Sequence, residues 1–237
     1  MRLTAPLYRL KRRAKTLARE RSLPLHRALD QVAESQGFKS WSLLAAKASA
    51  RSPARRLFAQ LSAGDLVLLA ARPGHGKTAL GLELTREAIL AGRRGLFFTL
   101  EYSDRDVLAQ IRTLGGDVTA FAAKLEVDSS DAIQADYVMD RLAAAPRGTL
   151  AVIDYLQLLD QRRETPDLMT QVTALKRFAQ DRGAIFLFIS QIDRAYDSGQ
   201  RPCPGLEDVR LPNPLDLGLF DKACFLQNGE IKVQHVP

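Results

Sequence analysis

Two cysteines, Cys203 and Cys224, are too few for a disulfide framework and supply no metal-ligand cluster. No apolar run approaches the ~20 residues that a helix needs to cross a bilayer. The basic N-terminus lacks the apolar stretch that follows such residues in a secretory signal. These absences set aside secretion and membrane residence, and a cytoplasmic chain is the simplest expectation. Internal repeats and low-complexity tracts are missing as well, which excludes a solenoid or an array. Acidic residues are scarce in one region only. Residues 1–60 hold 3 Asp/Glu against 14 Lys/Arg, whereas the rest of the chain holds 24 against 20. On those counts the N-terminal appendage carries +11 and the remainder −4, which together make the net charge of +7. That asymmetry points to an anionic partner, nucleic acid first and an acidic protein surface next, with a solvated helix face as the alternative.

The 237 residues, 46% of them hydrophobic, suffice for one full domain and a small appendage. Leu7, Leu10, Ala14, Leu17 and Ala18 recur at helical spacing and predict a basic helix over 5–21. Ser22 and Pro24 predict the start of a second helix through Ser35, closed by Gly37, and Ser40 caps a third to about Ala48. Residues 1–50 are thus expected to form a basic helical module, 51–60 a linker, and 61–237 the main domain.

From Asp65 onward strands alternate with helices. Leu66–Ala70, Gly95–Leu100, Thr149–Asp154 and Ala184–Ser190 are apolar runs expected to be strands buried on both faces. Helices are expected at Lys77–Ala91, Asp104–Leu114, Asp131–Ala145 (capped by Ser129 and Ser130) and Asp167–Arg182. Asn228-Gly229 between Lys222–Gln227 and Glu230–Val236 signals a hairpin. The alternation predicts an α/β fold: a mostly parallel sheet flanked by helices, with an antiparallel hairpin at one edge.

Between the first strand and its helix lies Ala71-Arg72-Pro73-Gly74-His75-Gly76-Lys77-Thr78. Consecutive backbone amides at a helix N-terminus curl around a phosphate, and Gly74 and Gly76 permit close approach of the backbone. Lys77 places a charge at the β- and γ-phosphates, and Thr78 offers a hydroxyl to Mg²⁺. Arg72, Pro73, Gly74, His75, Gly76, Lys77, Thr78 and Ala79 are the expected contacts to ATP. Asp154, ending an apolar strand, is expected to hold Mg²⁺ through water. Glu101 follows the strand ending at Leu100 and is the candidate base for water attack. Gln191, on the same rim, is placed to sense the γ-phosphate.

These pieces, in this order, resemble the ATPase domain of DnaB-type hexameric replicative helicases within the RecA superfamily. Gly64-Asp65-Leu66, the phosphate loop, Phe98-Thr99-Leu100-Glu101-Tyr102-Ser103 and Val152 to Leu158 carry the resemblance, with Ile189 to Arg194 and Leu206 to Arg210. It spans roughly Leu61 to Val236. An alanine at the first loop position and a glutamate after the second strand are both usual in that family. The resemblance implies Lys77 and Thr78 on phosphate and Mg²⁺, Asp154 as the Walker B acid, Glu101 as base and Gln191 as coupling glutamine. It also implies a helicase-like role in DNA replication and assembly as a homo-oligomer, a hexamer among the options. The loop 193–210 would meet single-stranded DNA through Arg194, Arg201 and Arg210, the alternative being a surface loop without a DNA role.

Three departures qualify it. A basic helical segment replaces the family's N-terminal collar, and the stretch from Leu114 to Leu150 is short. The family's Lys-x-Arg finger, worth about 10³–10⁵ in rate where one is used, falls where this chain ends at Gln234-His235-Val236-Pro237. Arg194, Arg201 or Arg210 would have to substitute in trans; otherwise hydrolysis is expected to be slow. Three functions are consistent with the residues: a helicase-like motor, a nucleotide-gated DNA-binding or regulatory protein, and an adaptor whose basic helices dock on protein or nucleic acid.

Overall fold

The computed structural model describes residues 4, 5, 7–50, 52–113, 121, 123–161, 165–196, 199, 201, 203–211, 213–227 and 230–236; the side chains of 7–9, 46, 48–50 and 113 are outside the description. The chain divides into two compact units, Met1–Arg56 and Leu57–Pro237. Among the described residues no helix is long and apolar enough to cross a membrane.

The first unit holds α1 (Leu7–Glu20), α2 (Leu25–Ser35) and α3 (Trp41–Ala50). Leu10 and Ala14 recur at helical spacing and are buried with Val32, Ala33 and Leu44, while Leu17, Leu29, Phe38 and Trp41 pack around them. Ser22 does not cap α2. It sits at φ 51, just past the end of α1, and Pro24 takes the N-cap position instead. Gly37, at φ 79, ends α2 as the sequence suggests. Within 51–60, the stretch read as a linker, α4 (Pro53–Phe58) is helical. Proline suits a first helical turn, where its missing N–H costs nothing.

The second unit is built on a seven-stranded sheet in the order β3-β2-β4-β5-β1-β6-β7. The strands are β1 (Leu66–Ala71), β2 (Gly95–Thr99), β3 (Leu125–Asp128), β4 (Leu150–Asp154), β5 (Ile185–Gln191), β6 (Lys222–Gln227) and β7 (Glu230–His235). All neighbours are parallel except β6 and β7, which form the antiparallel edge hairpin. Its turn, Asn228-Gly229, lies outside the described residues, as does Leu114 at the end of the helix expected over Asp104–Leu114.

Every residue of β1, β2 and β4 is buried, because helices cover both faces. Alternation sorts the side chains. Leu66, Leu68, Phe98, Ile153, Phe186 and Phe188 share a core with α7 (Ala135–Leu142) and α8 (Leu168–Arg182). Val152, Ile189 and Phe97 face α5 (Lys77–Leu90) on the other side. α6 (Asp104–Thr113) follows β2. Asp167 caps α8 by accepting from the Thr170 amide at 2.8 Å, and Gly183 at φ 70 ends it.

The expected helix over Asp131–Ala145 begins only at Ala135, and β3, which precedes it, has no counterpart in the sequence reading. Ser130 does not cap that helix; its hydroxyl closes a local turn on the Ala132 amide at 3.1 Å. A four-residue edge strand with two acidic residues gives little local signal. Its buried Asp128 is matched by Arg141 at 3.1 Å and by the Tyr137 hydroxyl at 2.9 Å, contacts that come from α7.

At the N-terminal ends of the central strands, Lys222 pairs with Asp65 at 2.5 Å and Lys176 with Asp221 at 2.6 Å. Asp221 also accepts the Leu66 amide at 2.7 Å. These contacts lock β1 to β6 on the side of the sheet opposite the loops that follow β1, β2, β4 and β5.

Candidate nucleotide site

The residues between β1 and α5 form a loop in which Gly74 and Gly76 adopt φ of 76° and 86°. A Cβ at either position would meet nothing within 4 Å, so backbone conformation, not crowding, demands glycine. Gly76 caps α5, whose first helical residue is Lys77. The free amides of this first turn are the donors an anion would use. The Lys77 ammonium folds back over the loop and donates to the carbonyls of Ala71 and Arg72, each at 3.2 Å. Burial pulls its pKa below the usual lysine range, while the carboxylates of Asp154 and Glu101 act in the opposite direction.

Asp154 ends β4 and is 3% exposed. Burial pushes its carboxyl up to about 6; the Thr78 hydroxyl pulls the other way, the Glu101 charge adds to the rise, and Lys77 opposes it. Its Oδ2 is buried and has no hydrogen-bond partner among the described residues. A buried carboxylate oxygen left over beside a threonine hydroxyl is a hard-oxygen donor set of the kind that binds Mg²⁺. The residues present therefore fit that ion.

Strand order explains how these groups meet. β4 lies two strands from β1, with β5 between them, so Asp154 stands roughly 10 Å across the sheet from the end of β1. α5 carries Lys77 and Thr78 over this gap. Its close approach depends on Gly81, where a Cβ would stand 3.1 Å from Ile189 Cδ1 and 3.4 Å from Val152 Cγ1. In the sequence Gly81 is marked only as a glycine inside a helical pattern.

Glu101, exposed, follows β2, and its amide donates to Thr99 Oγ1 at 3.1 Å. Its charge acts on both Lys77 and Asp154. Gln191 is the last residue of β5, in register with Ala71 on β1. The structure thus brings Lys77, Thr78, Asp154, Glu101 and Gln191 to one rim. Pro73 and Ala79 are exposed and His75 half-buried at the loop.

Arg72 goes elsewhere. Its Nη2 donates to the Tyr196 carbonyl at 2.9 Å and its guanidinium lies over the Tyr196 ring, so the side chain faces the segment after β5 and leaves its main chain to the loop. Of the three arginines expected on DNA, Arg194 and Arg210 are exposed, while Arg201 pairs with Glu207 and Asp208. Tyr196 carried no signal in the sequence, and Gln157 only its place in the stretch Val152 to Leu158, since Arg72 and Arg210, which they meet, are distant along the chain.

The family model "ATPase: KaiC" matches residues 57–210. The replicative DNA helicase DnaB of Buchnera aphidicola subsp. Acyrthosiphon pisum (strain APS) is 24% identical over 204 residues, covering 72% of this chain and 44% of that protein. The chain thus spans less than half the length of that curated relative. Among solved structures, a DnaB-like replicative helicase studied with its interactions with primase superposes with a TM-score of 0.56 at 17% identity, over 73% of this chain and 54% of that one. A KaiC-like protein from Pyrococcus horikoshii OT3 gives a TM-score of 0.50 at 19% identity, over 72% and 76%. At these identities the structural matches speak to fold, and the fold is RecA-like.

Proposed function

The chain belongs to the KaiC ATPase family, and from that premise we propose that it binds and hydrolyses ATP and acts on single-stranded DNA as a helicase-like homo-oligomer in the cytoplasm. One observation carries the reading: a buried Asp154 with an unpartnered oxygen, in the electrostatic reach of Thr78, Lys77 and Glu101. Loop amides and the start of α5 hold the triphosphate, and Lys77 neutralises it. Thr78 and Asp154 are the ligands for Mg²⁺, which when bound supplies charge against the phosphate oxygens. Glu101 takes the proton of the attacking water, and Gln191 orients the γ-phosphate end of the site. The segment 193–210 and the cationic face of α1 supply the contacts to DNA.

A second reading, a nucleotide-gated DNA-binding or regulatory ATPase without processive unwinding, is favoured by Arg201. Its charge is spent on Glu207 and Asp208 within its own segment.

ATP turnover with and without single-stranded DNA separates the two. Stimulation of about tenfold or more supports the motor, and ATP-dependent DNA affinity with little turnover supports the switch. Lys77→Ala is expected to abolish nucleotide binding, and affinity retained within a few-fold would remove the assignment. Glu101→Gln is expected to bind ATP while turnover falls by about 10²–10⁴; a normal rate places the base elsewhere.

A further inference from the structure

Arg72 stands in the phosphate loop, yet both its hydrogen bond and its ring contact go to Tyr196 (2.9 Å to the carbonyl, 5.7 Å to the ring centroid). The Arg201 guanidinium lies against the same ring at 5.6 Å, and the Tyr196 hydroxyl donates to the Arg201 carbonyl at 2.6 Å. Arg201 in turn binds Asp208 at 2.5 Å and pairs with Glu207. The Asp208 carbonyl accepts from the Asp193 amide at 2.7 Å, and its carboxylate accepts from the Gly205 amide at 2.8 Å. The far end of the segment is also tied down. The Arg210 amide donates to the Gln191 carbonyl at 2.8 Å, and Gln157 Nε2 donates to the Arg210 carbonyl at 3.4 Å. The described parts of the segment are thus fastened to both halves of the nucleotide site: by Arg72 from the phosphate loop, and by Gln157 from the turn after Asp154.

The Arg72 carbonyl meanwhile accepts from Lys77 Nζ at 3.2 Å. A phosphate that draws the Lys77 ammonium competes directly with that bond, and the backbone it releases is the one whose side chain holds Tyr196. A planar guanidinium can donate to a carbonyl and lie on a ring at once, which a lysine cannot reproduce. Tyr196 is 3% exposed, with both its hydroxyl and its carbonyl engaged, so a shift of Arg72 has little slack to absorb it before Arg201 is reached.

We infer that Arg72, Tyr196 and Arg201 form a chain of positioning residues that couples occupancy of the phosphate loop to the conformation of the segment leading to Arg210. The inference rests on the nucleotide reading above and adds a connection separate from Gln191. Coupling of this kind is reciprocal: a ligand that reorders the segment also changes nucleotide affinity.

The test uses the full chain, a fluorescent non-hydrolysable ATP analogue and amide hydrogen exchange over residues 203–211. Saturating analogue is expected to change exchange there by about threefold or more in the unaltered protein. Tyr196→Phe keeps the ring and the main-chain carbonyl and is expected to retain the response. Tyr196→Leu is expected to bind the analogue within about threefold of the unaltered protein and to lose the response. Arg201 is exposed, so Arg201→Gln carries the same expectation should Tyr196→Leu fail to fold. Equal responses in all of these proteins overturn the inference. An unaltered protein that binds the analogue without any change in exchange overturns it alone, whereas one that binds no analogue overturns the nucleotide reading with it.

Discussion

Asp154 sits on a buried strand end with its Oδ2 unpartnered among the described residues. Its pKa of about 6 in the folded chain exceeds the ~3.9 of an unfolded aspartate. The folded state therefore holds this proton more tightly. The contribution to stability is full below about pH 4, falls as pH rises through 6, and at neutral pH the buried charge costs about 3 kcal/mol. Asp154→Asn, assayed by urea unfolding in the presence of a chelator, is expected to stabilise the chain at pH 7 by about 1–3 kcal/mol, with the gain vanishing near pH 4. The same substitution is expected to remove Mg²⁺-dependent turnover. A variant less stable than the original at pH 7 would show that the carboxylate is better compensated than its burial implies. Instability at a functional carboxylate is the ordinary consequence of holding a ligand for something the protein does not itself supply.

Among the elements, α5 matters most, because it carries Lys77 and Thr78 across the sheet. Its seating leaves no room at Gly95, where a Cβ would stand 2.5 Å from Thr85 Cγ2. Gly95→Ala is expected to cost about 1–3 kcal/mol by overpacking. Thr85→Ser deletes that methyl but keeps the hydroxyl that donates to the Gly81 carbonyl at 2.9 Å, so the double variant is expected to recover most of the loss. Additive losses in thermal unfolding would mean that the strain lies elsewhere. The buried strands at this scale were legible as apolar runs because a strand covered on both faces has no polar positions to interrupt it. β3 was not: it is short and at the edge of the parallel array, and its acidic residues are neutralised by α7 side chains that local pattern cannot see.

At the scale of the molecule, charge separates the two units. Residues 1–60 hold 14 Lys/Arg against 3 Asp/Glu, and the remainder is slightly acidic. On α1, Arg12, Lys15 and Arg19 fall on one exposed stripe, opposite the face that buries Leu10 and Ala14. Replacing all three with Gln is expected to lower the slope of log affinity against log salt for single-stranded DNA by about 2, as three cationic contacts stop releasing counterions. An unchanged slope in a salt titration assigns this stripe to solvent or to an acidic protein surface.

The sequence by itself determined where chemistry could be placed. Two glycines needing left-handed backbone, a lysine at a helix start and polar residues closing buried strands are local requirements, and each leaves a local mark at Gly74, Gly76, Lys77, Asp154 and Gln191. Only the tertiary structure decided which side chains those positions meet. Arg72 turns from the phosphate loop to Tyr196, and Arg201 is taken by Asp208 and Glu207, because a long flexible side chain settles on the best partner within reach. For Arg72 that reach is set by strand order, which brings it beside a residue more than a hundred positions away; for Arg201, whose partners lie six and seven residues on, it is set by the fold of its own segment.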